Sequence, residues 1–210
     1  MFIPYKDENP TARFAVVSFL LVVANCAAFV FQVFGPGGFE AVTSRFAFNP
    51  ASLGGGAAAP GAAALYTLVS YMFCHGGVSH LGFNMLFLWI FGNNVEDRMT
   101  RGRYLVFYLV TGIVSALAFA AQSPGEDVPL VGASGAVSGV LGAYLFMFPL
   151  ARIHVWMLFF TLRMRAFLFL PIWFLLQLSG LFGGSEGIAW ISHIAGFIAG
   201  ALLFRLFTVD

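Results

Sequence analysis

Between Ala12 and Phe34 the chain carries one charged side chain, Arg13, and that sits at the start of the run. An apolar stretch of this length crosses the ~30 Å hydrocarbon core of a bilayer as a helix. Five further apolar runs follow it, so the solvent for most of this chain is lipid. In lipid every backbone N–H and C=O must be satisfied within the protein, which leaves helices and closed barrels. The runs are continuous rather than alternating, so helices are expected. Composition agrees: charged residues make up 9% of the 210, against about 25% in soluble domains.

Six spans are predicted: Ala12 to Phe34, Val78 to Val95, Tyr104 to Ala121, Ser134 to Phe148, Ala166 to Leu181 and Ile188 to Phe207. The expected fold class is an all-α membrane protein. Residues 1–11 form a short tail, and 12–210 a single six-span domain. The first run is too long for a signal-peptide core and is read as a retained span. The Gly/Pro/Ala-rich connection Gly35 to Ala64 holds Phe39, Phe46 and Phe48, and is expected to fold back onto the membrane surface. The fourth span is short, which predicts a helix that begins below the outer surface. The apolar stretch Trp156 to Phe160 is expected at the interface, because Arg163 and Arg165 separate it from the fifth span.

Orientation follows from Lys and Arg, which concentrate on cytoplasmic segments. With the N-terminus inside, nine of the ten, all but Arg45, fall on the tails, the 2–3 loop and the 4–5 loop. The expectation is a multi-pass protein with both termini cytoplasmic. In the absence of a targeting segment, the expected setting is a bacterial inner membrane. A net charge of +1 carries no nucleic-acid signal. Cys26 and Cys74 are far apart and read as packing residues.

Polar side chains at membrane depth are costly and therefore mark function. His80, Asn84, Ser134 and His193 stand out. Ser134 and His193 open spans that run in the same direction, so they lie at similar depth. Serine needs a base to act as a nucleophile, and neutral imidazole is the usual one. Gly196 and Gly200 share a face of the sixth span, and Gly135, Gly139 and Gly142 give the fourth a small-residue face. Such faces let helix backbones approach closely, as a Ser–His hydrogen bond requires. His80 and Asn84 are four residues apart and share a helix face. With the Ser134 N–H at a helix start, they can stabilise an oxyanion. No carboxylate lies at depth, which excludes a Ser-His-Asp triad within the spans and argues against an ion-coupled transporter. His75 and His80 flank Gly-Gly, but the spacing is not that of a zinc protease. Neither metal nor cofactor is expected.

Four segments resemble the rhomboid intramembrane serine proteases. They are His75-Gly76-Gly77-Val78-Ser79-His80-Leu81-Gly82-Phe83-Asn84, Gly92-Asn93-Asn94-Val95-Glu96-Asp97, Gly132-Ala133-Ser134-Gly135 and His193-Ile194-Ala195-Gly196. The resemblance implies a six-span rhomboid-type bundle with a membrane-associated first loop. It implies Ser134 as nucleophile and His193 as base in a dyad without an acid, with His80, Asn84 and the Ser134 amide as oxyanion hole. Substrates would be single-pass membrane proteins cut near the outer end of their transmembrane segment. Phe167 to Glu186 would form the mobile gate and cap, with Gly180, Gly183, Gly184 and Gly187 suiting a hinge. The chain departs from some members in having Tyr66-Thr67 where they carry a Trp-Arg pair. It also has Ser138 where they place a tyrosine against the histidine. A rhomboid-like pseudoprotease, binding transmembrane clients without cutting them, is the alternative reading. Retention of Ser134, His193, His80 and Asn84 speaks against it.

Overall fold

The computed structural model describes residues 2–53, 62–183 and 188–209. Gly184, Glu186 and Gly187 of the expected cap, and part of the first connection, lie outside them. Long helices form where the apolar runs predict them: α1 (Val16–Phe34), α4 (Val78–Asp97), α5 (Arg101–Gln122), α6 (Ser134–Met147), α7 (Ala166–Phe182) and α8 (Trp190–Phe207). Three of these, α1, α5 and α8, are long and apolar enough to cross a membrane. The first connection carries α2 (Gly38–Phe46) and α3 (Ala62–Ser70). Its aromatic residues pack on the bundle: Phe39 against Phe29, Phe46 against Phe31 and Tyr66, and the fully buried Phe48 against Tyr71. The Tyr66 hydroxyl donates to the Arg45 carbonyl at 2.8 Å and so ties α3 to α2.

Helix α6 is the centre. Every residue from Gly135 to Tyr144 is buried, and burial on all sides identifies a helix enclosed by its neighbours. Helices α4, α5 and α8 pack around it. Helix α7 is the contrast. Its buried residues are Ala166, Phe169 and Leu170 at the start, then Gln177 alone in the C-terminal half.

The all-α expectation holds for the bundle, but the chain also forms a three-stranded antiparallel sheet. Its strands are β1 (Ile3–Asp7), β2 (Arg152–Trp156) and β3 (Thr161–Arg165), in the order β1-β2-β3. Residues of the tail therefore pair with the connection before α7. The stretch expected at the interface, Trp156 to Phe160, is the end of β2 and its turn into β3. The physical reason is the alternation in Arg152-Ile153-His154-Val155-Trp156. Ile153 and Val155 are fully buried, while Arg152 and Trp156 are exposed, the period-2 pattern of a half-buried strand. Glu8 clamps the sheet, 2.7 Å from His154 and 2.6 Å from Arg163. The Arg163 and His154 partners hold its carboxyl down to about 2.

A second polar cluster holds α1 and β1 to the end of α4. The first turn of α1 has no side-chain cap of its own. Instead the buried Glu96 carboxylate accepts the Val17 and Ser18 N–H groups at 2.9 and 2.8 Å, satisfying two of the donors a helix start leaves open. Arg13 donates to the Asp97 and Met99 carbonyls. Asn94 and Tyr144 both donate to Asp7, at 2.8 and 2.7 Å.

Glu96→Ala leaves two N–H groups without their acceptor and should cost about 1–3 kcal/mol. Glu96→Gln, which keeps one acceptor, should cost less; thermal unfolding in detergent measures both. The depressed Glu8 carboxyl stabilises the sheet fully above its ordinary value of 4.5 and loses that contribution as pH falls through about 2. The difference in melting temperature between the parent chain and Glu8→Gln should therefore be largest near neutrality and shrink steadily as pH drops below 4.5.

Candidate active site

Three helices begin around one cavity of about 670 Å³, lined by His80, Asn84, Ser134, Gln177 and His193 among others. His80 is the third residue of α4, Ser134 the first of α6 and His193 the fourth of α8. Their side chains converge because three helix starts converge. His193 Nε2 lies 2.8 Å from Ser134 Oγ, a hydrogen bond in the range of a base poised to take the hydroxyl proton.

The glycines bring α6 and α8 together, though not all as expected. A β-carbon at Gly196 would strike the Gly135 carbonyl, one at Gly200 the Gly139 carbonyl, and one at Gly142 the Phe197 carbonyl. Backbone therefore meets backbone along the α6–α8 seam. Gly135 and Gly139 were expected to clear space for α8. A β-carbon at Gly139 would meet Thr111 of α5, and one at Gly135 would meet Ser115 of α5 and, at 3.3 Å, Ser192 of α8. Toward α8 they present backbone, the carbonyls that meet Gly196 and Gly200. Ser115 also donates to the Ser192 carbonyl at 2.8 Å, fastening α5 to α8 beside His193.

Gly132 has φ of +118°, and a β-carbon there would fall 2.7 Å from the His80 ring and 3.6 Å from Ser134 Oγ. Only glycine fits both the conformation and the space. The turn leaves the Ser134 N–H at the start of α6, where no intrahelical carbonyl can accept it. His80 Nδ1 accepts the Gly76 N–H at 3.2 Å. A neutral imidazole that accepts at Nδ1 carries its proton on Nε2, so Nε2–H is a donor on the side toward Gly132. Asn84 uses one amide hydrogen on the His80 carbonyl at 3.0 Å and retains the other. The Ser134 amide, His80 and Asn84 thus offer three donors at one cavity, an arrangement able to hold a developing negative charge.

Ser138 does not reach His193. Its hydroxyl donates back to the Ser134 carbonyl at 2.6 Å, a common bond for a helical serine. The ring that meets His193 is Trp190, edge-on with centroids 6.2 Å apart. The sequence reading missed Gln177, whose Oε1 lies 2.9 Å from His193 Nδ1. The signal was available, because Gln177 is an amide in the middle of the fifth apolar run and meets the same test that singled out Asn84. Among the described residues no group of three or more His, Cys, Asp or Glu side chains is arranged to hold a metal ion.

Comparison with known proteins adds the family context. A Rhomboid domain model matches residues 62–209, more than two thirds of the chain. The chain is 42% identical over 82 residues to rhomboid protease GluP of Bacillus subtilis (strain 168), covering 39% of this chain and 16% of that protein. It is 34% identical over 82 residues to putative rhomboid protease YdcA of the same organism, covering 39% and 41%. Against rhomboid-type serine protease 2 of Emericella nidulans it is 30% identical over 133 residues, covering 63% and 25%. The aligned segments thus span less than half the length of each of these relatives.

The seam itself is testable. Gly200→Ala places a methyl group against the Gly139 carbonyl and should lower stability by about 1–3 kcal/mol, the usual cost of overpacking. Gly102→Ala, where the added carbon meets nothing, is the control in the same thermal-unfolding assay and should be unchanged or stabilised by up to about 1 kcal/mol.

Proposed function

The chain belongs to the rhomboid family, and on that premise we propose that it is an intramembrane serine endopeptidase working through a Ser134–His193 dyad. The observation that carries this reading is the 2.8 Å hydrogen bond between the Ser134 hydroxyl and His193 Nε2, both of which line the cavity. Ser134 Oγ attacks the scissile carbonyl while His193 Nε2 takes its proton. The oxyanion receives hydrogen bonds from the Ser134 N–H, His80 Nε2–H and Asn84 Nδ2–H. Collapse breaks the C–N bond, and His193 returns the proton to the departing amine. Water, activated by the same imidazole, then hydrolyses the acyl-enzyme.

The proposed substrates are single-pass membrane proteins, cut near the outer end of their transmembrane segment. Six helices would cross the bilayer, with residues 1–11 and the C-terminus on the cytoplasmic side and 12–210 as one protease domain. The placement of nine of the ten cationic residues supports that orientation, and a bacterial inner membrane is the proposed setting. The apolar exteriors of α1, α5 and α8 support a lipid surround.

The test is cleavage of a helix-destabilised transmembrane substrate by the detergent-purified protein. Ser134→Ala and His193→Ala should each abolish cutting, and Asn84→Ala should lower kcat about 10²–10³-fold, the usual loss for one oxyanion donor. A fluorophosphonate should label Ser134 only when His193 is present. A wild-type protein that neither cuts nor labels would instead favour the client-binding reading.

A further inference from the structure

We propose that Gln177 is a positioning residue that fixes the His193 tautomer and makes the alignment of the base depend on where α7 sits. The inference rests on the protease reading above and adds to it a third participant carried by a different helix.

The hydrogen bonds leave one consistent assignment. The Gln177 amide touches two groups, the Trp173 carbonyl at 3.1 Å and His193 Nδ1 at 2.9 Å. A carbonyl can only accept, so the amide nitrogen must face Trp173 and the amide oxygen must face His193. An oxygen that only accepts requires a proton on Nδ1. The neutral imidazole then has its lone pair on Nε2, the atom 2.8 Å from Ser134 Oγ. Each hydrogen in the chain from Trp173 through Gln177 and His193 to Ser134 is thereby assigned, and the assignment is the one a general base needs. Gln177 takes the place that a carboxylate holds in a three-residue site. A neutral amide orients the ring without burying a second charge in an apolar bundle.

The position of Gln177 couples this order to α7. It is the one buried residue in the C-terminal half of that helix, while Leu175 and Leu176 beside it are 60% and 51% exposed. Apolar contacts accompany it: Trp173 and Phe174 rest on Phe197, and Gly180 lies against the Trp190 ring. Apolar contacts tolerate sliding, whereas the amide–imidazole bond is directional. Moving α7 away from α8 removes the acceptor from Nδ1 and frees the ring to take the unproductive tautomer. The dyad is therefore fully aligned only while α7 is seated.

The test uses the full chain in detergent, with two readouts: the rate at which a fluorophosphonate labels Ser134, and kcat and KM on a transmembrane substrate. Gln177→Leu removes the acceptor and should slow labelling and kcat about 10- to 100-fold with KM unchanged. Gln177→Glu keeps an acceptor and should retain labelling within about threefold of wild type. If Gln177→Leu labels at the wild-type rate, or Gln177→Glu loses as much as Gln177→Leu, the inference is overturned. Should Gln177→Leu not fold, Gln177→Met carries the same prediction, and the Gln177→Glu result decides in any case. Failure of the protease reading is separate and visible at once, because the wild-type protein would then neither label nor cut.

Discussion

The contact on which the site depends is bare backbone against bare backbone. Gly196 and Gly200 of α8 lie on the Gly135 and Gly139 carbonyls of α6, closer than any side chain would permit. In lipid the hydrophobic effect does not press helices together, so close packing and polar contacts must do so. The seam provides the first, and the serine bonds between α5 and α8 the second. The distance from Ser134 to His193 is then a consequence of helix geometry. Each residue stands in the first turn of its helix, and the two helices cannot sit further apart without opening voids along their length.

Much of this was legible in sequence because the bilayer narrows the choices. The six long helices could be placed by apolar length alone. Ser134, His193, His80 and Asn84 could be found because polar groups are conspicuous in an apolar run. The short fourth span led to the expectation of a helix start below the outer surface; what the structure shows of α6 is that it is enclosed by protein from Gly135 to Tyr144. What was not legible depended on three-dimensional direction. Sequence spacing gives Gly135 and Gly139 a shared face, but which neighbour that face meets is set by the rotation of α6, and it proves to be chiefly α5. The β-sheet was hidden for a different reason. Five-residue strands leave a weak signal, and the first has its partner at the far end of the chain. Gln177 was overlooked although nothing concealed it.

The end of the bundle away from the cavity has a logic opposite to that of the cavity. There, charges are neutralised by tertiary partners rather than kept available. Glu96 caps a helix from another element, Arg13 bonds backbone carbonyls, and Glu8 gathers His154 and Arg163. The segment Gly92-Asn93-Asn94-Val95-Glu96-Asp97 is one of the four that resemble the family, yet it lines no part of the cavity. Its work is architectural. Gly92 lets the Tyr104 hydroxyl come within 2.7 Å of where a β-carbon would sit, Asn94 holds Asp7, and Glu96 holds α1. A motif shared across a family can therefore record how a bundle is fastened as readily as where its chemistry lies.

The sheet also imposes an order on biosynthesis. Ile3 pairs with Trp156 and Asp7 with Ile153, so β1 has no partner until synthesis has reached β2. Pairings that distant in sequence form late. Until β2 and β3 emerge, the start of the chain is held only from α1 onward, and the strand edge it will complete does not yet exist. Because β3 runs directly into α7, closure of the sheet coincides with the arrival of the helix that carries Gln177. One stretch of synthesis thus completes the sheet at one end of the bundle and brings Gln177 to the cavity at the other.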